Sequence, residues 1–107
     1  MPSSNSSGTQ AATVTSEHTL ATITTVGTFV LYVDMNALAL GDELILRAKV
    51  KVTSGGTTRL AYAGTYKNVQ ENLVAISIPI ASVNEVVFTL HQAAGTSRSF
   101  PWEIVEL

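Results

Sequence analysis

The chain has 107 residues, a formal net charge of −2 at pH 7 and no cysteine. A chain of this length builds one hydrophobic core, which predicts a single domain. The lack of cysteine excludes disulfides, Cys-ligated zinc and thiol catalysis, and it fits synthesis in a cytosol. The six Lys and Arg residues are scattered, which argues against a nucleic-acid partner because phosphate binding requires clustered cations.

The first twelve residues, MPSSNSSGTQAA, are mostly Ser, Asn, Gly and Thr. This composition buries too little apolar surface to offset the entropy of ordering it. The sequence therefore predicts a flexible arm over residues 1–12 and a folded domain over residues 13–107. No secretory signal is recognisable at the start. No apolar run approaches the ~20 residues that span a bilayer, so no membrane partner is expected.

After the arm, apolar and polar residues alternate with a period of two, which predicts β-strands. The clearest strand is DELILRAKVKV, whose predicted inward residues are Leu44, Leu46, Ala48, Val50 and Val52. Three further strands give the predicted inward sets Phe29, Leu31 and Val33, then Val74, Ile76, Ile78 and Ile80, and finally Val86, Phe88 and Leu90. Pro79 cannot donate to a β-ladder, which places its strand at an edge or a frayed end. Weaker strands are expected at about 13–17, 19–25, 58–67 and 99–107.

The segments between the strands contain turn residues. TVGT, TSGGT and AAGTS each contain glycine, which adopts positive φ without steric cost. TSGGT predicts a hairpin, and Ala93–Ser99 is expected to be a second hairpin tip. The segment DMNALALGD breaks the alternation, and we expect one short helical turn at Leu38–Leu40.

About eight short strands with apolar faces require two sheets packed face to face. The sequence therefore predicts an all-β fold, an antiparallel β-sandwich of about eight strands. Jelly-roll topology is favoured over an immunoglobulin-like one because the Cys…Trp…Cys hallmark is absent. Phe100, Trp102 and Ile104 share one face of the last strand, which makes Trp102 a candidate core anchor.

Candidate catalytic and metal sites are weakly supported. A Ser–His–Asp triad would have to combine scattered residues, namely His18 or His91, Ser97 or Ser99, and Asp34 or Asp42. No Gly-x-Ser-x-Gly elbow is present, and the two histidines lack the spacing of zinc ligands. The acids Asp34, Asp42, Glu43 and Glu71 are interpreted as turn or surface residues. We therefore expect no enzymatic activity, no cofactor and no metal.

A glycan is a possible ligand, because β-sandwich modules often stack aromatic rings on sugars. The candidate aromatic residues are Tyr32, Tyr62, Tyr66 and Trp102. Tyr62 and Tyr66 share one face with Leu60, however, which favours a role in packing or at an interface. Arg59, Lys67 and Arg98 form at most a small basic patch, and solvated strand ends explain them better.

Three segments carry a resemblance to a known family, and they read VGTFVLYVDMNALALGDELILRAKVKV, RLAYAGTY and HQAAGTSRSFPWEIVEL. They resemble a family of short phage-encoded proteins over roughly residues 19–107. The matching positions are Gly27, Thr28, Phe29, Val33, Asp34, Leu38, Gly41, Asp42, Leu44, Leu46, Arg47, Leu60, Ala61, Tyr62, Gln92, Ala94, Gly95, Thr96, Arg98, Phe100 and Trp102. The N-terminal arm has no counterpart in this resemblance.

The resemblance implies a structural component of a tailed-phage virion, similar to capsid decoration (cement) proteins. It implies a place on the capsid surface, the major capsid protein as partner and self-association, with a trimer favoured. A carbohydrate-binding module on a phage tail or capsid exterior is the alternative. The residues expected at the capsid or subunit interface are Met1, Pro2, Ser3, Ser4, Asn5, Ser6, Ser7, Arg59, Arg98 and Pro101.

Overall fold

The computed structural model describes residues 2–107, so the interface prediction for Met1 lies outside the described residues. Nine β-strands and no helix occur in this part of the chain. In chain order the strands are β1 (Ser3–Ala11), β2 (Glu17–Ile23), β3 (Gly27–Asp34), β4 (Glu43–Lys51), β5 (Arg59–Lys67), β6 (Val74–Ile76), β7 (Ile80–Ser82), β8 (Glu85–Ala94) and β9 (Ser99–Glu106). The all-β prediction is confirmed, with one strand more than expected.

The strands form two antiparallel sheets that pack around one core. Sheet A has the order β1-β9-β3-β6, with β7 also paired to β3, and sheet B has the order β2-β8-β4-β5. The chain changes sheets at every connection except β4–β5 and β6–β7. The predicted antiparallel β-sandwich is confirmed, and the predicted TSGGT hairpin joins the paired strands β4 and β5.

The core lies between the sheets, and most of the predicted alternation is confirmed. Its largest fully buried apolar side chains come from β3, β4, β8 and β9 and from Met35, which follows β3. Those on the strands are Phe29, Leu31, Val33, Leu44, Leu46, Val86, Phe88, Leu90, Phe100 and Ile104. Trp102 packs against this cluster while keeping part of its surface exposed. Val52 was expected to face inward, but it lies beyond the end of β4 and is exposed.

The inward prediction for Val74, Ile76 and Ile78 is wrong. These residues are 50%, 53% and 54% exposed. β6 pairs with β3 so that Ile76 lies opposite Tyr32, on the outer face of sheet A. Ser77 is buried instead, because its Oγ accepts a hydrogen bond from the Leu31 N–H at 2.9 Å.

Proline breaks this edge of the sheet into two short strands. Pro79 lies in the gap between β6 and β7, which agrees with its predicted place at an edge. After the gap Ile80 pairs with Phe29 and is buried, as expected. The single predicted strand therefore changes face across the proline.

Residues 3–11 form a strand where the sequence predicted a flexible arm. β1 pairs with β9 from Ser3 opposite Glu106 to Ala11 opposite Ser99. At the pair Gly8–Trp102, a Cβ on Gly8 would lie 3.4 Å from Trp102 Cζ2. The strand is ordered by backbone pairing with β9 rather than by apolar side chains of its own.

Three local predictions fail in the connections. β8 and β9 lie in different sheets, so Ala93–Ser99 is a crossing loop and not a hairpin tip. The segment around Leu38–Leu40 consists of turns, closed by hydrogen bonds from Leu38 N–H to Met35 O and from Asp42 N–H to Ala39 O, both 3.0 Å. Residues 13–16 form a turn with Thr15 at φ 72°, so the strand expected at 13–17 is absent.

Candidate functional site

The structure does not assemble the Ser–His–Asp triad that the sequence allowed. The Nε2 of His18 accepts a hydrogen bond from the Thr13 N–H at 3.0 Å. The Nδ1 of His91 lies 3.2 Å from Nη1 of Arg47, and the Oγ of Ser97 accepts from the Val14 N–H at 3.3 Å. His18, His91 and Ser97 therefore contact different groups and not one another.

For residues 2–107 the structure shows neither a candidate metal-binding cluster nor a helix that could span a membrane. No group of three or more His, Asp or Glu side chains in that range is arranged to hold a metal ion. No helix in the same range is long and apolar enough to cross a bilayer.

Asp42 organises the loop end of the sandwich, where the β3–β4 and β8–β9 connections meet. The Ala39 N–H donates to Asp42 Oδ2 at 2.9 Å, and the Thr96 N–H donates to Asp42 Oδ1 at 3.1 Å. The Nε of Arg98 donates to Asp42 Oδ2 at 3.0 Å. Asp42 itself is only 2% exposed. Its carboxylate thus holds two distant loops together.

Gln92 completes this loop-end network. Its Nε2 donates to the carbonyls of Ala94 and Thr96 at 3.2 and 2.7 Å, and its Oε1 accepts from the Arg98 N–H at 3.0 Å. Gly95 has φ +95°, and a Cβ there would clash with the Asp42 carboxylate. The side chains of Asp42 and Gln92 therefore connect the two loops at this end of the sandwich.

Burial and hydrogen bonding act in opposite directions on Asp42. Burial favours the neutral carboxyl, whereas the Ala39 and Thr96 N–H groups and the Arg98 guanidinium favour the carboxylate. The donors outweigh burial, so the pKa of Asp42 lies below its usual value. The sequence prediction that Asp42 is a turn or surface residue is half right, since the residue ends a turn but is buried.

Glu17 forms a second charged cluster, on the outer face of sheet B. Thr89 Oγ1 donates to its Oε2 at 2.6 Å, while Arg47 and Lys49 pair with the carboxylate at 3.2 and 3.0 Å. The Thr89 hydroxyl, opposed by burial and aided by the two cations, lowers the pKa of Glu17 to about 2. The charges of this cluster are therefore paired with one another.

A shallow groove crosses the outer face of sheet A and has a volume of about 470 Å³. Gly8, Trp102 and Val33 lie side by side in the register of β1, β9 and β3. Val33 is buried on the inner face, and residues paired across neighbouring strands point to the same side of the sheet. The backbone of these three residues therefore forms the groove floor. The outer-face side chains of the wall are Ser7, Thr9, Tyr32, Asp34, Val74, Pro101 and Glu103.

The groove continues into an exposed apolar surface. Tyr32 is 37% exposed and lies opposite Ile76, and Val74 lies opposite Asp34. Val74, Ile76 and Ile78 follow one another at every second position, so they form an apolar stripe beside the groove. Exposed, contiguous apolar residues on a regular sheet mark interaction surfaces.

The charges of the groove contrast with those of sheet B. The five strands of sheet A contain no Lys or Arg. Within residues 2–107, Glu103 and Asp34 have no cationic partner, and Asp34 accepts one hydrogen bond, from the Asn36 N–H at 2.9 Å. The groove is therefore mostly apolar with a negative rim.

The predicted interface residues are spread over the molecule. Pro2 precedes β1, and Ser3, Ser4, Asn5, Ser6 and Ser7 belong to it. Ser7 and Pro101 line the groove. Arg59 begins β5 on sheet B, and the guanidinium of Arg98 is bonded to Asp42. Their interface role stays a prediction, and only Ser7 and Pro101 lie in one site.

Of the four aromatic residues considered for glycan binding, one lies in the groove and three pack against the core. Tyr32 lines the groove, whereas Trp102 packs against the core beneath it. Tyr62 and Tyr66 also pack against the core. Burial raises the pKa of Tyr66, and the neighbouring Tyr62 hydroxyl raises it further. A sugar would therefore meet one exposed ring, that of Tyr32.

The sequence prediction missed Glu103, Val74 and Ile76 as groove and stripe residues. The sequence held one signal of the true orientation. Ala75 and Ser77 are two residues apart and so share a face, and a serine can lie on a buried face when its hydroxyl bonds to the backbone. No protein-family model, no curated protein and no solved structure matches the chain.

Proposed function

We propose that this protein is a structural component of a tailed-phage particle, a capsid decoration protein that binds the assembled shell between capsomers. The observation that carries the proposal is the outer face of sheet A, where the apolar stripe and the groove are exposed on a sheet without a single Lys or Arg. Covering a face of this kind with a partner is favourable, because it removes apolar surface from water. The family resemblance supplies the phage context.

The strand order supports jelly-roll topology as part of the same proposal. Sheets of order β1-β9-β3-β6 and β2-β8-β4-β5, with repeated crossings between them, are compatible with the wrapping of a jelly roll. That architecture is common in viral capsid and lectin domains. The proposed topology and the proposed location on the virion thus agree with each other.

The mechanism is stabilisation by mass action. A protein that binds the assembled shell, and not the separate capsomers, stabilises the shell by its binding free energy multiplied over the copies bound. The exposed strand β1 lies at the edge of sheet A and offers backbone groups for further contact. The major capsid protein is the proposed partner.

Co-sedimentation with purified particles of the phage that encodes the chain tests the proposal. We expect the wild type to bind with saturable stoichiometry and to raise the temperature at which the shells disassemble. Ile76→Ser, on the apolar stripe, should reduce binding. Val87→Ser on sheet B is the matched control and should bind as the wild type does. No saturable binding of the wild-type protein would overturn the proposal.

A carbohydrate-binding module is the second candidate, and the position of Tyr32 favours it. Its partly exposed ring stands in a groove beside the carboxylates of Asp34 and Glu103, and sugars bind to such combinations of aromatic and polar groups. Glycan-array binding that is lost in Tyr32→Ala and kept in Tyr62→Phe would support this candidate. An array without binding by the wild type would remove it.

A further inference from the structure

The charged residues of the strands are divided unequally between the two sheets. The strands of sheet A contain three acidic residues and no Lys or Arg, whereas those of sheet B contain five Lys or Arg residues and three glutamates. The acids of sheet A are Asp34, Glu103 and Glu106. Within residues 2–107 none of the three forms an ion pair. A surface with one sign of charge attracts a partner of the opposite sign.

Two rows of outer-face side chains run across the strands of sheet A and form the walls of the groove. In the first row each residue pairs with the next across neighbouring strands, and its members are Ser7, Glu103, Tyr32 and Ile76. In the second row Thr9 pairs with Pro101, and Asp34 pairs with Val74. Four strands at a spacing of about 4.8 Å make the groove roughly 14 Å long, which accommodates about four residues of an extended chain.

The centre of the groove fits one basic side chain. Glu103 lies directly opposite Tyr32, and Asp34 follows two residues later on the same strand as Tyr32. Diagonal neighbours of this kind are roughly 7–8 Å apart, so a single cation between the walls reaches both carboxylates. The Tyr32 ring, 37% exposed, is the neighbour of both acids. A guanidinium donates in several directions and stacks on aromatic rings, so arginine matches this arrangement better than lysine.

Towards β6 the groove becomes apolar. Val74 lines the groove, pairs with Asp34 and is 50% exposed, and Ile76 beside it is 53% exposed. The cation position lies between β9 and β3, so β6 is about 7 Å from it at the usual strand spacing. In an extended chain, residues two positions apart point to the same side at a separation of about 6.6 Å. A side chain two positions from the arginine therefore meets Val74.

This composition favours a peptide over a sugar. A peptide segment with one basic and one aliphatic side chain neutralises the two carboxylates and covers the stripe at the same time. A neutral glycan brings no charge to Asp34 and Glu103 and no aliphatic side chain to Val74. It would contact only the single exposed ring of Tyr32.

We infer that the groove of sheet A binds an extended segment of a partner protein that has a basic residue, arginine by preference, two positions from a large aliphatic residue. The basic side chain lies between Glu103 and Asp34 beside Tyr32, and the aliphatic side chain contacts Val74. The inference deepens the proposed function and rests on it for the identity of the partner, the major capsid protein. It adds the chemistry of the segment that is bound.

Titration of the protein with synthetic peptides, followed by two-dimensional amide NMR spectra, tests the inference. The probes are acetyl-Ser-Arg-Thr-Leu-Ser-amide and its reverse, acetyl-Ser-Leu-Thr-Arg-Ser-amide. At least one should shift the amide signals of Gly8, Val33 and Trp102 on the groove floor, with a Kd on the order of 1 mM or tighter. Raising NaCl from about 10 mM to about 1 M should weaken binding at least about threefold, because ions screen the contact.

Two altered peptides test the two parts of the motif. Citrulline in place of arginine keeps the shape and removes the charge. Moving leucine next to arginine keeps the composition and turns the leucine to the opposite side of the extended chain. Each change should raise the Kd at least about threefold.

Variants of the protein test the same contacts from the other side. Glu103→Gln and Asp34→Asn keep the size of each side chain and remove its charge, and each should raise the Kd of the better probe about threefold. Val74→Ser should weaken binding by a similar factor through lost apolar contact. Glu71→Gln changes an exposed acid outside the groove and is the matched control. Circular dichroism should show every variant folded.

Four results would overturn the inference. They are floor signals that do not move at about 5 mM peptide, a citrulline peptide that binds as tightly as the probe, acid variants that bind as the wild type does, and free arginine amide that binds as tightly as the peptides. Maltotetraose that shifts the floor signals when the peptides do not would also overturn it, in favour of a glycan.

The outcome is separable from that of the proposed function. Wild type and Glu103→Gln that bind particles equally well overturn the inference and leave the decoration proposal standing. A protein that binds the probe in the groove but does not bind particles supports the groove chemistry and removes the decoration proposal.

Discussion

Asp34 ends β3 and Asp42 ends the connection that follows β3, but their carboxylates have different surroundings. Asp42 is buried and accepts hydrogen bonds from Ala39, Thr96 and Arg98. Asp34 is exposed on the groove rim and accepts one local hydrogen bond. The carboxylate in the loop-end network is therefore paired inside the protein, whereas the carboxylate on the groove rim is left exposed to solvent.

This difference predicts two kinds of mutational effect. A substitution in the loop-end network leaves buried donors without acceptors, which lowers the free energy of unfolding. A substitution in the groove removes a side chain that water already solvates, which changes binding while leaving stability nearly constant. The following variants test that separation in order of expected effect.

Gly95→Ala should have the largest effect. Gly95 has φ +95°, and the added Cβ would lie 2.7 Å from Asp42 Cα and still closer to its carboxylate. Backbone strain together with displacement of Asp42 should lower the free energy of unfolding by at least about 3 kcal/mol, measured by urea titration. Gly55→Ala has open space around it and is the control. A loss below about 1 kcal/mol at Gly95 would show that the network tolerates movement of Asp42.

Asp42→Ala and Asp34→Ala make the comparison directly. Removing the Asp42 carboxylate leaves the Arg98 guanidinium and two N–H groups without their acceptor, which should cost about 3 kcal/mol of unfolding free energy. Asp34→Ala removes one exposed hydrogen bond and should cost less than about 1 kcal/mol. Equal losses in the two variants, measured by the same urea titration, would remove the distinction between the regions.

Glu17 should give a smaller, pH-dependent effect. Its pKa falls from 4.5 to about 2 on folding, so the folded state binds fewer protons and the stabilisation is present above about pH 4.5. It is lost as the pH falls from 4.5 towards 2. At about pH 6 Glu17→Gln should lower the free energy of unfolding by about 1 kcal/mol, a modest value because the ion pairs are partly exposed. The difference between wild type and variant should vanish near pH 2, and a difference constant across this range would contradict the pKa assignment.

The sequence predicts a strand well where its own side chains supply the driving force. In β4 the residues Leu44, Leu46 and Ala48 are buried and Arg47 and Lys49 face outward, as the alternation requires. β8 behaves in the same way. The β-sandwich follows from several such strands, since each needs a second sheet to cover its apolar face.

The sequence predicts poorly wherever a distant partner decides the structure. β1 has no apolar alternation, and its order depends on backbone pairing with β9. A turn that contains glycine is locally compatible with a hairpin within one sheet or with a connection between the two sheets. The connection from β8 to β9 crosses between the sheets, and it is held by the hydrogen bond from the Thr96 N–H to Asp42, 54 positions away. The apolar alternation of Val74, Ile76 and Ile78 gave the wrong inward face, because the face that is buried depends on the Ser77 hydroxyl accepting a hydrogen bond from Leu31 of β3.

The smallest effect on stability should accompany the largest effect on binding, at Tyr32. Tyr32→Ser removes a groove side chain that is 37% exposed and should change the free energy of unfolding by no more than about 1 kcal/mol. Lys49→Ala changes an outer-face residue of sheet B and is the matched control.

The direct test of the central claim, that sheet A carries the contact face, is the fraction of each variant that co-sediments with purified particles. We predict that Tyr32→Ser loses binding while Lys49→Ala retains it. Undiminished binding by a folded Tyr32→Ser variant, with loss in Lys49→Ala, would place the contact on sheet B and contradict the claim.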